Sequence, residues 1–191
     1  MRLHLESRRV PAALCAFVGC GLAFQATLRW YGDSGSLGQQ IPPIFEAAVA
    51  AIVAVSTRSP IGEPERASGR WLPFLRLGTA VALSAAGFAA LAAGAAATDL
   101  VGGMAALLRN VAGMVGVGLL CAPMLGGSLS WIATMGYLAL AEVAGSSGWH
   151  SPWIWPARPP DDLGGAICSA IVLVAGLTVI GLRGDRDPTR G

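Results

Sequence analysis

Residues 163–182 read LGGAICSAIVLVAGLTVIGL, an apolar run that contains no charged side chain. A helix of about 20 residues matches the roughly 30 Å hydrocarbon core of a bilayer, because each residue adds about 1.5 Å. The rest of the chain repeats this pattern, with apolar stretches rich in Ala, Leu, Val and Gly between short polar breaks. The sequence therefore predicts an all-α integral membrane protein with the lipid bilayer as its main environment.

The composition agrees with a membrane environment. Of the 191 residues, 54% are hydrophobic and 13% are charged, whereas soluble domains carry about 25% charge. Six helices of about 20 residues would leave only short connections. We therefore expect no separate ATP-binding, extramembrane catalytic or nucleic-acid-binding module, and no nucleic acid as a partner. All 13 basic residues are Arg, which, with the abundant Ala and Gly, is typical of a GC-rich bacterial genome.

Six transmembrane helices are predicted within a single transmembrane domain, residues 1–191. Their approximate bounds are 10–28, 41–56, 72–97, 100–121, 128–144 and 163–182. Arg residues are concentrated on one side of this arrangement, and such residues favour the cytoplasm. Both termini and the loop 57–71 are therefore expected to be cytoplasmic, with the loop 145–162 extracellular, in a bacterial cytoplasmic (inner) membrane. The turn between the fourth and fifth spans is nearly uncharged, so a five-span or re-entrant arrangement is an alternative there.

Five polar residues interrupt the apolar stretches and are candidates for a substrate pathway. They are Gln25, Glu46, Arg109, Asn110 and Glu142, all in the predicted outer half of the bilayer. A charge near the bilayer centre costs at least about 2.5–3.5 kcal/mol, so such groups usually pair or line a cavity. One interpretation is a polar lining of a translocation route. The other is a structural pair between helices, Arg109 with Glu46 or Glu142, although simple hydration near the surface would also explain Glu142.

The loop between the second and third spans contains SPIGEPERASGRWLPFLR, residues 59–76. Its acidic residues precede a glycine, and a short amphipathic segment follows that can lie at the inner membrane interface. One interpretation is a docking element for a cytoplasmic partner, and the other is an ordinary charged loop with a Trp anchor. The candidate docking residues are Glu63, Glu65, Arg66, Gly69, Arg70 and Trp71.

The segment GEPERASG, residues 62–69, resembles the coupling-helix region of ABC exporter permeases of the second class, which move drugs, lipids or polysaccharides. Those permeases have six spans with both termini inside, and this loop often contains E-x-E-x-G-T. Pro64 and an additional residue before Gly69 depart from that pattern. The resemblance implies a separate cytoplasmic ATP-binding cassette subunit that hydrolyses ATP. It also implies a second permease chain, in a homo- or hetero-oligomer.

Two further groups of residues have a predicted place in the membrane. Ala112, Gly113 and Gly116 form a small-residue face on the fourth span that permits close helix packing, within one chain or between chains. Aromatic residues gather in the predicted outer loop, where we expect an interfacial belt, with a lid or a substrate-stacking role as the alternative. They are Trp149, Trp153 and Trp155.

Motifs for catalysis are scarce. Ser128 has no histidine predicted on its side of the membrane, and two His residues are too few for a metal or haem site. We therefore expect no metal, no cofactor and no enzymatic activity in this chain. The leading hypothesis is a permease subunit of an ATP-driven exporter. The alternatives are a non-catalytic accessory or assembly subunit of a larger membrane complex, and a membrane enzyme that acts on lipid.

Overall fold

A computed structural model describes residues 10–32, 36–57, 72–96, 98, 100, 102–126, 129–148 and 150–183, and this part of the chain is helical and contains no strand. The described residues form six α-helices, one in each predicted apolar stretch. They are α1 (Val10–Tyr31), α2 (Ser36–Ser56), α3 (Leu72–Ala95), α4 (Gly103–Leu125), α5 (Ser130–Ser146) and α6 (Leu163–Arg183). A 3-10 helix, Pro152–Ala157, lies between α5 and α6.

Four of the helices are long and apolar enough to cross a membrane. They are Val10–Tyr31, Pro73–Ala95, Gly103–Leu125 and Leu163–Leu182. The apolar part of α2, Gln40–Ser56, has 17 residues, as does α5. A helix of that length extends for about 25 Å, which is shorter than the roughly 30 Å hydrocarbon core. The structure therefore describes a multi-pass helical membrane protein with four helices of spanning length, whereas the sequence predicts six spans.

The distribution of polar and apolar side chains is inverted relative to a soluble protein. Large apolar side chains are exposed along the outer faces of α1 and α6, including Val18 and Leu22 on α1 and Ile171 on α6, which are each at least 60% exposed. Glu46 and Arg109 are buried instead, at 1% and 6% exposure. Soluble monomers rarely expose such continuous apolar surface. Lipid is the environment in which this arrangement is stable.

Helix α4 is the centre of the bundle. It packs most extensively on α6 and α2, and also on α5, while α1 packs mainly on α3 and α2. The α4 side chains Leu107, Met114 and Leu119 are at most 1% exposed and belong to one apolar core shared with the other helices. Because α4 is surrounded, any polar residue on it must find its partners inside the protein.

Glycines allow α4 and α6 to approach within backbone contact. A Cβ at Gly116 would lie 2.6 Å from backbone atoms of Val172 and Leu173 on α6, and one at Gly176 would lie 2.6 Å from the Gly116 carbonyl oxygen. Gly113 also faces a partner within the chain, the Trp155 side chain, while Ala112 is half-buried. The small residues Gly113 and Gly116 are thus occupied by contacts within one chain.

We expect Gly116→Ala to destabilise the bundle by about 1–3 kcal/mol, because the new methyl group meets α6 backbone that can move away only by separating the two helices. The measurement is thermal unfolding of the purified chain in detergent. Gly136→Ala on α5 is the matched control, because a Cβ there has nothing within 4 Å. Equal melting temperatures for the two variants would contradict the close α4–α6 packing.

Candidate functional site

Four of the five polar candidates meet at one end of the bundle. Glu46 from α2, Arg109 and Asn110 from α4, and Glu142 from α5 all line a cavity of about 560 Å³. Gln25 is half-buried on α1 and does not line this cavity. The first turns of α2 and α4 and the last turn of α5 lie side by side here, because α5 runs in the opposite direction to α2 and α4.

The cavity has a buried polar floor and an exposed rim. Glu46, Arg109 and Asn110 are each at most 6% exposed, whereas Gln40 and Ser146 at the rim are exposed. A volume of this size lies within the range of small-molecule sites, about 300–1,000 Å³. The arrangement can therefore admit a solute from the end of the bundle and bring it to buried charged and polar groups.

Glu46 and Arg109 are joined through Asn110. The Arg109 Nε donates a hydrogen bond to Asn110 Oδ1 at 3.1 Å, and the Asn110 side chain also hydrogen-bonds the Glu46 carboxyl group. The second carboxyl oxygen, Glu46 Oε2, is buried and has no hydrogen-bond partner among the described residues. A buried carboxyl oxygen without a partner is costly, and among the described residues only Trp155 Nε1 shares this state with Glu46 Oε2.

The hydrogen bonds described for Arg109 differ from the predicted pairing with a carboxylate. Its Nη1 donates to the carbonyl oxygen of Pro159 at 2.7 Å, and Nη2 donates to that of Arg158 at 3.1 Å. A guanidinium has five donors in a fixed plane, so it can bind several acceptors that converge from a folded connection. Arg109 thus holds the α5–α6 connection over the cavity, and its electrostatic contact with Glu46 is secondary.

An ion pair between Arg158 and Asp162 also stabilises the α5–α6 connection. Arg158 forms two hydrogen bonds with Asp162, at 2.8 and 3.1 Å, and donates a third to the carbonyl oxygen of His150 at 2.9 Å. Asp162 also accepts the Gly165 backbone N–H at 2.7 Å, at the first turn of α6. The hydrogen bonds from Arg158 and Gly165 lower the pKa of Asp162 to about 2. Asp just before an apolar helix is a known capping signal that our sequence analysis did not use.

Trp155 lies in a different environment from the one predicted. It is 2% exposed, and its ring is 4.8 Å from the ring of Tyr137, between α5 and the glycine positions Gly113 and Gly165. The expected interfacial position is therefore wrong for Trp155, which fills space that the two glycines leave inside the bundle. Trp153 is half-buried, with its carbonyl oxygen accepting the Tyr137 hydroxyl, and Trp149 lies outside the described residues.

The residues of the predicted docking loop have no described position relative to this site. The loop residues Glu63, Glu65, Arg66, Gly69, Arg70 and Trp71 lie outside the described residues. Within the described part, no three His, Cys, Asp or Glu side chains are grouped so that they could hold a metal ion. No protein-family model, curated protein or solved structure matches this chain.

Proposed function

We propose that this chain is the permease subunit of an ATP-driven exporter of the ABC type, working with a separate cytoplasmic ATPase subunit. The observation that supports this proposal is the polar cavity at one end of a bundle whose outer surface is apolar. A transport subunit needs a solute-accessible polar site within a lipid-facing fold. An accessory or assembly subunit requires no such cavity.

The course of α2 through the bundle is also consistent with export. Its first turns, with Gln40 and Glu46, line the cavity. Its last residue, Ser56, lies about 24 Å from Gln40 and about 15 Å from Glu46 along the helix axis. The chain leaves α2 there and returns at Leu72, so the connection that resembles a coupling loop departs from the end opposite the cavity. In the proposed orientation the loop faces the cytoplasm and the cavity faces outward.

The remaining parts of the proposal concern the membrane and the assembly. We place the chain in a bacterial cytoplasmic membrane with six spans and cytoplasmic termini, where α2 and α5 complete the crossing beside the four longer helices. The apolar part of α2 and the whole of α5 have 17 residues each and pack partly against other helices, and local thinning of the bilayer accommodates short spans at modest cost. A second permease chain, identical or different, would complete the translocation pathway.

The test is co-purification of the tagged full chain from native membranes, followed by ATP-driven transport in proteoliposomes. We expect a stoichiometric complex with an ATP-binding cassette protein. Glu65→Ala and Gly69→Trp should each reduce coupled transport about ten-fold or more without dissociating the complex, because they alter the proposed contact with the ATPase. Gly19→Trp is the control, since Gly19 is exposed on α1 with nothing within 4 Å of its Cβ position. Full transport by both loop variants would contradict the coupling assignment.

A further inference from the structure

Proline is the commonest residue in the lining of the cavity. Five prolines line it, and a proline contributes a carbonyl acceptor but no N–H donor. They are Pro42, Pro43, Pro156, Pro159 and Pro160. Pro42 and Pro43 also lie within α2, so the carbonyl groups four residues before each of them lack their usual helical donor. The prolines of the lining therefore contribute no backbone N–H donors, and the Pro159 carbonyl oxygen already accepts from Arg109 and from the Asp162 backbone N–H.

The charged groups add to this asymmetry. Glu46 and Glu142 are two acidic residues of the cavity lining, and the Oε2 atom of Glu46 is buried without a partner among the described residues. The Arg109 guanidinium already donates to two backbone carbonyl groups and to Asn110. The Arg158 guanidinium is paired with Asp162. The described acceptor that lacks a partner is thus a carboxyl oxygen, whereas the Arg109 and Arg158 guanidinium groups already form hydrogen bonds.

From these contacts we infer that the cavity binds an organic cation whose protonated amine donates a hydrogen bond to Glu46 Oε2. This inference deepens the proposed permease function by naming its substrate class. An ammonium group supplies both the donor and the opposite charge that a buried carboxylate needs. An anionic solute would instead meet the two acidic residues of the lining. The cavity volume, about 560 Å³, accommodates an amine attached to an apolar body of drug size.

The test measures binding by the purified full chain in phosphatidylcholine nanodiscs, without any ATPase. The probe is dansylcadaverine, a fluorophore with a terminal primary ammonium, and its partner is the N-acetyl derivative, which has the same fluorophore but no charge. Empty nanodiscs correct for partition into lipid. We expect the wild-type chain to bind the ammonium compound about ten-fold or more tightly than the acetylated one, since a hydrogen bond to a charged group is worth at least this factor.

The decisive variant is Glu46→Gln, which keeps the side-chain shape but removes the negative charge and replaces one of the two carboxyl oxygens by an NH2 donor. We expect it to bind dansylcadaverine about ten-fold more weakly, with little change for the acetylated compound. Glu142→Gln is the matched comparison. It removes the same charge from a half-buried position, and we expect a loss of less than about three-fold because that carboxyl group is partly hydrated.

Three results would overturn the inference: no binding of dansylcadaverine, equal affinity of the wild-type chain for both compounds, or unchanged affinity in Glu46→Gln. If Glu46→Gln does not fold, the two ligands on the wild-type chain still decide the question. The outcomes that would reject the permease proposal differ from those that would reject amine binding. Selective amine binding without any ATPase complex would retain this site and reject that function, whereas ATP-driven transport without amine selectivity would do the reverse.

Discussion

Truncation of Trp155 to Ala is expected to be among the most destabilising single substitutions in the described part of this chain. Phe or Trp to Ala changes in protein cores cost about 3–5 kcal/mol, through lost contacts and the cavity left behind. We expect a value near 3 kcal/mol, because part of the water-to-core transfer term is absent when the unfolded reference state stays in the membrane. The space cannot collapse easily, since the Trp155 ring lies against Gly113 and Tyr137 on two different helices.

The measurement is reversible unfolding in detergent, or thermal unfolding where refolding fails. Trp131→Ala is the matched control: Trp131 is on α5 and 47% exposed, so its loss should change stability by no more than about 0.5 kcal/mol. A second control tests the contact between Trp155 and Gly113 directly. Gly113→Ala should destabilise the wild-type chain but have a much smaller effect in Trp155→Ala, because the ring that the new methyl group meets is gone. Additive effects would argue against direct packing.

Replacement of Arg109 by Ala should destabilise the protein by about 2–4 kcal/mol. The variant loses donors to the carbonyl groups of Pro159 and Arg158 and to Asn110. The Pro159 carbonyl keeps the Asp162 N–H as a donor, whereas the half-buried Arg158 carbonyl and the buried Asn110 side chain bear the cost of a lost partner. The substitution also removes the cation nearest to the buried Glu46. Arg109→Lys should recover only part of the loss, because a single ammonium group cannot direct donors to three acceptors as a planar guanidinium does.

Two measurements distinguish the hydrogen-bonding role of Arg109 from a general effect of removing a positive charge. Thermal unfolding gives the loss of stability, and limited proteolysis should show faster cleavage within residues 150–162, because Arg109 no longer holds the connection. Arg29→Ala serves as the control, since it removes the same charge from an exposed position at the end of α1. If Arg109→Ala and Arg29→Ala show the same proteolysis rate and melting temperature, the hydrogen bonds to the connection are not important for stability.

Much of this architecture could be predicted from local sequence patterns. Length and hydropathy predict helices at six places, and a helix is present at each of them. The ionisable residues inside apolar stretches were also identifiable, since Glu46, Arg109 and Glu142 interrupt otherwise uncharged runs. Small residues on α4 indicate close packing. The pattern could not predict that Gly113 receives a tryptophan ring while Gly116 receives a helix backbone, because the two partners are distant in sequence.

Sequence patterns could not predict that Trp155 is buried inside the bundle or which groups Arg109 binds. A Trp near a membrane boundary ordinarily indicates an interfacial position, but Trp155 turns inward because the 3-10 helix carries it over Gly113 and Gly165. Charge patterns likewise favour an Arg109 pair with a carboxylate. They contain no information on backbone carbonyl groups, because every residue has one and its hydrogen-bond partner depends on how the connection folds.

The amino-acid sequence alone determined that this is a lipid-embedded helical chain and which of its residues are polar within apolar helices, because hydrophobicity and run length are properties of neighbouring residues. Tertiary structure alone decided that Glu46, Arg109 and Asn110 form one cavity and that Glu46 Oε2 remains without a described partner. The physical reason is that the rotation of each helix about its axis and the path of the α5–α6 connection depend on packing between segments far apart in the chain.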